Sequence, residues 1–296
     1  MFLLLGSPFD LCCTRVAWAL RARGYDAEII ENPLTSPARL SWHLRDDGAD
    51  SSFSPSRTAT TVTPIEGVLV RSAGWMDPSD WSSSDFSYAI AETQAALLAW
   101  LWSLQCPVVN RYDAALWYRP RPPLAAWRPA LAAAGLAIPS TILTNIAEQA
   151  RAFGADAAAC GAPGLVYTPL TGAATYLVAT ERDWAGIDAL QAHAPVCLSL
   201  PHEEPERALV AGDLVMWHRT PSPAAARLEP ALRQFARGAG LTFVEVAVAL
   251  TAEGLRVVGV DHQPRIDDFD PSSQHAIVGA LVDLLTARAT ALRRVS

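Results

Sequence analysis

The side chains best suited to chemistry lie near the carboxyl end of the chain. Asp261 and Gln263 close the apolar run Arg256-Val-Val-Gly-Val260 just before Pro264, and Glu245 sits inside the preceding run, Phe243-Val-Glu-Val-Ala-Val-Ala-Leu250. Carboxylate and amide oxygens at a strand end suit a hard divalent cation or a phosphate-bearing ligand, because rigid backbone fixes them and the strand end opens to a cleft. Each has a structural alternative. Gln263 could cap a turn, and Glu245, flanked by valines, could be held by an arginine instead of a metal. Arg71 ends another apolar run, Gly67-Val-Leu-Val70, where ligands of open α/β sheets gather; an ion pair at a domain interface would serve equally. The histidines show no zinc spacing and the five cysteines no Cys-x-x-Cys, so reduced buried thiols are expected. All 23 basic residues are arginine. Without lysine there is no amine to form a Schiff base, act as a base, or clamp phosphate as a compact charge.

Positioning these residues requires strands and turns. Phe243 to Leu250 and Arg256 to Val260, joined by Thr251-Ala-Glu-Gly254, read as a hairpin, and Glu206 to His218 reads as a second one turning at Gly212-Asp213. The chain opens as β-α-β: a strand at Phe2 to Leu5, an amphipathic helix at Leu11 to Arg23 and a strand at Ala27 to Glu31. A hairpin around Asp46-Asp47-Gly48, the strand before Arg71, a helix over Tyr88 to Gln105 and a short strand at Pro107 to Asn110 complete the first unit. A helix over Leu124 to Ala134 follows, then a strand from Ile138 with Asn145 capping the next helix. Strands over Gly164 to Pro169 and Ala173 to Ala179, a helix over Asp183 to Ala192 and a strand over Val196 to Leu200 come next. Helices are predicted over Pro223 to Arg237 and Ser272 to Arg294, the latter led by the acidic cluster Asp267-Asp268-Phe269-Asp270, which suits a helix amino terminus. His262 alternates away from Asp261 and Gln263 and is expected on the opposite face.

The stretch from Gly240 to Pro264 resembles the final hairpin of ATP-grasp ligases, Gly-Leu-x-Phe-x-x-(Ile/Val)-Asp, a turn with Gly, then (Glu/Asp)-x-Asn-Pro. In that family its acidic and amide residues hold magnesium on ATP. Asp261 matches the second acid, Gln263 replaces the Asn, and Ala247 stands where the first Asp belongs. Glu245, two residues earlier, points to the same face and is the substitute ligand. Ile138 to Thr144 is similar to the family's G-x-x-x-P-x-T strand. Arg207-Ala-Leu-Val-Ala-Gly-Asp-Leu-Val215 resembles R-x-x-V-V-G-D-x-V, which implies a catalytic, phosphate- or substrate-contacting Arg207. Val68-Leu-Val-Arg71 and the compact size look most like the glutamate-ligase and graspetide peptide-ligase branch, with Arg71 toward substrate.

The implied fold is α/β: an ATP-grasp domain over 111–296, its lid at about 139–200 and a C-terminal sheet subdomain beyond, preceded by an open-sheet pre-grasp domain over 1–110. The family's two nucleotide-binding lysines fall near Leu124 and on Tyr167. Arg119 or Arg121 would stand in for the first through bidentate guanidinium contacts, whereas Tyr167 brings no charge. In the lid loop, Thr171-Gly-Ala-Ala-Thr-Tyr176 replaces a run richer in glycine, and each added β-carbon keeps backbone amides further from phosphate.

Composition limits the partners. A chain of 296 residues with 51% hydrophobic and 18% charged residues is a well-buried globular protein, and a net charge of -7 argues against a nucleic-acid surface. Met1-Phe-Leu-Leu-Leu5 lacks the length and basic flank of a signal peptide, and no apolar stretch reaches the ~18 residues that cross a bilayer. A cytoplasmic protein without nucleic-acid or membrane partners is expected.

Two readings of function follow. In the first, the chain is a degenerate ATP-grasp protein, a pseudoenzyme that binds a peptide, small molecule or protein partner in a modification pathway, as a homo- or hetero-oligomer and without a cofactor. In the second it is an active carboxylate-amine ligase that uses ATP and Mg2+ through an acyl phosphate, with Arg for Lys and Glu245 for the missing Asp. A small-ligand sensor is a third. Losing one phosphate cation commonly costs about 2 to 4 kcal/mol of transition-state stabilisation, so joint loss of lysines, acid and glycines favours the first.

Overall fold

The computed structural model describes residues 1–35, 38–46, 48–54, 64–72, 76–79, 81–118, 122–170 and 174–293. The first unit comprises β1 (Phe2–Leu5), α1 (Leu11–Ala22), β2 (Ala27–Ile30), the hairpin β3 (Arg39–Arg45) and β4 (Gly48–Ser54), β5 (Gly67–Val70), α2 (Ser83–Ser103) and β6 (Val108–Val109). Strands β2-β1-β5-β6 form a parallel sheet. Both β1 and β5 are buried at every residue, which explains their unbroken runs of Leu and Val. Asp10 caps α1, its Oδ1 accepting from the Cys12 amide at 2.8 Å. Helix α2 starts at Ser83 rather than Tyr88, because the Ser82 hydroxyl accepts from the Asp85 amide and caps it there.

After α3 (Ala114–Tyr118) and α4 (Leu124–Ala133), a second, antiparallel sheet forms from β7 (Thr141–Thr144), β8 (Leu165–Tyr167), β9 (Tyr176–Val178) and β10 (Val196–Ser199), in the order β7-β10-β8-β9. It packs against α5 (Ala147–Ala159) and α6 (Glu181–Gln191) around a core of its own that includes Ala150, Leu165, Ile187 and Leu198. Asn145 does not cap α5. The cap position is Ile146, which makes no side-chain cap hydrogen bond, and its amide donates to Thr144 Oγ1 at 3.0 Å. Helix α6 starts in a capping box between Thr180 and Asp183.

The third sheet is also antiparallel. It consists of β11 (Glu206–Ala211), β12 (Leu214–Trp217), β13 (Phe243–Thr251) and β14 (Gly254–Asp261), in the order β12-β11-β13-β14. Its turns use Gly212 (φ 60°) and Gly254 (φ 95°), left-handed conformations that glycine adopts without strain. The helix expected from Pro223 to Arg237 is two, α7 (Pro223–Ala226) and α8 (Glu229–Gly238). Pro230 lies in the first turn of α8, where a missing N–H costs nothing but would have broken a continuous helix. The closing helix, α9 (Pro271–Arg293), is capped by Asp270, which accepts from the Ser272 and Ser273 amides.

The first and third sheets share a core. Phe2 and Leu4 cluster with Leu209, Ala211 and Phe243 and with Ile277 and Leu281 of α9. Buried Asn110 stitches the seam: Oδ1 accepts from the Thr242 and Phe243 amides at 2.8 Å each, and Nδ2 donates to Phe243 O at 2.6 Å and His262 O at 3.2 Å. Among the described residues no helix is long and apolar enough to cross a membrane.

Candidate functional site

A cleft of ≈ 350 Å³ lies between the second and third sheets. The period-two pleat decides what lines its upper wall. Leu143 pairs with Cys197 and Ser199 with Val166, so these four share a face, and three of them, Val166, Cys197 and Ser199, line the cleft with Thr141. The other parity turns toward the lid helices. Tyr167 is on it, opposite Leu198 and Tyr176, with its ring 6.1 Å from that of Tyr176 and nearly parallel to it. The position expected to contact nucleotide therefore packs into the lid, and Val166 and Thr168 are the residues that meet the cleft there.

The lower wall is Val258 to His262, and Pro122, Pro123 and Leu124 close one side. Among the described lining residues none is an arginine; the ionisable ones are Asp261, His202, His262 and Cys197, and burial pushes the Cys197 thiol up. Arg119, Arg121 and lid-loop residues 171–173 lie outside the described residues.

On the third sheet, register places Arg207, Glu245 and Asp261 on one face, since Leu209 pairs with Glu245 and Glu245 with Asp261. Glu245 is only 6% exposed, and both its oxygens are engaged. Oε1 accepts from Arg207 Nε at 2.7 Å, and Oε2 lies 3.0 Å from His218 Nε2. Arg207 also donates to Asp268 Oδ2 at 3.2 Å. Of the two roles open to Glu245, partner to an arginine is the one it plays here. A metal would have to displace that arginine or the histidine. Ala247 faces Gly259 across the strands, and a β-carbon at Gly259 would sit 3.4 Å from that of Ala247. Where the resemblance requires its first Asp, the sheet presents a methyl group opposite a hydrogen.

Asp261 is exposed at the cleft, and its Oδ1 accepts from the Gln263 amide at 2.8 Å in an Asx-type turn. Gln263 turns instead to a smaller cavity of ≈ 160 Å³, lined also by Ser72 and Tyr112. His262 points inward as alternation predicts: its ring meets that of Tyr112 edge-on at 5.2 Å, Nε2 has no partner among the described residues, and burial lowers its pKa. Burial likewise pushes Tyr112, whose hydroxyl donates to His262 O, up to about 12. Arg71 is ion-paired within the N-terminal unit, not across a domain interface. Its side chain is 7% exposed, with Nε 3.0 Å from Asp10 Oδ2 and the guanidinium 5.7 Å from the centre of the Phe243 ring.

His218 and Asp268 are partners the sequence reading missed. The first was accessible by counting outward from the Gly212-Asp213 turn: Ala208 pairs with Trp217, so His218 falls beside Arg207 and donates its amide to Arg207 O at 3.0 Å. Among the described residues the cleft lining holds no arginine, position 247 is an alanine, and Glu245 is engaged by Arg207 and His218.

No family model and no curated protein matches this chain. Solved structures do. The ATP-grasp ligase PsnB complexed with minimal precursor, Mg and ADP superposes with a TM-score of 0.76 at 21% identity, covering 98% of each chain. The macrocyclase MdnC of Microcystis aeruginosa MRC, bound with precursor peptide MdnA, gives 0.74 at 15% identity over 97% of this chain and 99% of that one. A RiPP-associated ATP-grasp ligase of Chryseobacterium gregarium, in complex with ADP and a leader and core peptide, gives 0.75 at 15% identity, covering 97% and 96%. The open parallel sheet, together with the lid and the antiparallel sheet that enclose the cleft, makes up the ATP-grasp fold.

Proposed function

We propose that this chain is a non-catalytic ATP-grasp protein that binds a peptide or protein partner in a peptide-modification system, without turning over ATP. The observation that carries this reading is an alanine, Ala247, paired with Gly259 of a cleft whose described lining holds no arginine. A triphosphate needs positive charge around it, and Asp261 contributes the opposite sign. A peptide is the preferred ligand class because the three solved structures above hold a precursor peptide, a minimal precursor, and a leader and core peptide. Calorimetry of the full chain with Mg-ATP and Mg-ADP tests the reading: no magnesium-dependent binding is expected up to about 1 mM nucleotide. Micromolar binding that needs magnesium and disappears in Asp261→Asn would overturn it.

One observation favours the ligase reading. Pro122 lines the cleft, and Arg119 and Arg121 precede it in sequence. If those arginines serve the nucleotide, the binding that overturns the first reading will also be lost in Arg119→Ala/Arg121→Ala.

A further inference from the structure

A cavity of ≈ 640 Å³ lies away from the cleft, between α1 and α9. On α1 its lining is Arg15, Trp18, Ala19, Ala22 and Arg23, spaced as i, i+3, i+4, i+7 and i+8. That spacing is one stripe of a helix, running beside the stripe of Cys13, Val16, Ala17 and Leu20 that α1 buries. Helix α9 adds His275, Val278 and Gly279.

The floor is made of small residues. A β-carbon at Gly279 would meet nothing within 4 Å, and Trp18 stands beside the floor 75% exposed, a large indole left in water. The rim is basic. Helix α1 contains no acidic residue, Arg15 makes no ion pair among the described residues, and Arg23 reaches only to the exposed Asp283 at 2.6 Å. A basic, apolar groove on a chain of net charge -7 runs against the rest of the surface. A rim of this sign complements an acidic segment of a partner chain.

We propose that this groove docks a partner's peptide segment in which acidic side chains flank a bulky apolar one. The apolar side chain lies over Ala19, Ala22 and Gly279 against Trp18, and the carboxylates meet Arg15 and Arg23. Nothing in this depends on whether the cleft binds nucleotide.

Fluorescence polarisation of the full-length chain with fluorescein-labelled Asp-Glu-Phe-Leu-Glu-Asp tests it. The acidic peptide is expected to bind at least about tenfold more tightly than its counterpart with lysine at each acidic position, and to weaken as salt rises from about 50 to about 300 mM. Arg15→Glu and Gly279→Leu should each reduce affinity about tenfold, and Arg219→Gln, at the far end of β12, should leave it unchanged. Gly279→Leu adds helix propensity in open space, so its thermal midpoint should not fall. Equal binding of the two peptides, or unchanged affinity in both groove variants, would overturn the proposal. So would capture by phosphatidylserine vesicles with no peptide binding, or a dimer seen in sedimentation that Gly279→Leu abolishes.

Discussion

Arg207 and Glu245 lie on neighbouring strands, β11 and β13, joined by a 2.7 Å hydrogen bond from Nε to Oε1 that neutralises the buried carboxylate. Removing the arginine leaves Glu245 with His218 alone. Arg207→Ala should cost about 1 to 2 kcal/mol, below the value for a fully buried pair because solvent screens the part-exposed guanidinium. Glu245→Gln in the same background should recover most of the loss. Urea midpoints for the two single variants and the double variant measure it, and additive effects would show that the pair is not coupled.

Ala247 offers a gain-of-function test. An aspartate there would lie diagonal to Asp261 on the same face, in the space left by Gly259. Ala247→Asp should create a weak divalent site, with a Kd of about 0.1 to 1 mM for Mn2+ by paramagnetic resonance, abolished by adding Asp261→Ala. The parent chain should show no such site in the same titration.

His262 makes stability depend on pH. Burial lowers its folded pKa below the ordinary 6.5, with Asp261 opposing, so below about pH 6.5 the unfolded chain binds the extra proton and the folded one resists it. The contribution is complete above that pH and is lost as pH falls toward the folded pKa, with a slope of at most about 1.4 kcal/mol per pH unit. Denaturant titrations at pH 7.5 and 5.5 should show the decline, and His262→Phe should reduce it.

Asn110→Ala should be among the more damaging single changes. It strands the Thr242 and Phe243 amides in a buried seam and removes donors to two carbonyls, at a cost of about 3 kcal/mol or more. A fall in thermal midpoint without loss of the lid's own cooperative structure is the expected signature.

Local signals placed most of the scaffold. Turn glycines at 212 and 254 and β-branched runs between them gave both hairpins nearly to the residue. Failures came where one residue of offset matters. Lid strands β8 and β9 span only three residues each, so aligning by their flanks could not fix the pleat that turns Tyr167 toward Tyr176 and the lid core. The start of α5 escaped because its cap falls on Ile146, whose side chain has no oxygen to mark it. Glu245 was ambiguous for another reason: its partners, Arg207, His218 and Asp268, come from three separate segments.

The separation of the hydrophobic interiors sets how this molecule can deform. The first and third sheets bury their side chains together, and the second sheet keeps to itself, touching the body through a few links such as Ser140 to Glu253 and Glu203 to Leu250. Rocking of residues 141–199 over the base is therefore the expected motion, one that would widen or narrow the cleft without disturbing Asn110. In hydrogen exchange those amides should open as a block of their own, ahead of the base.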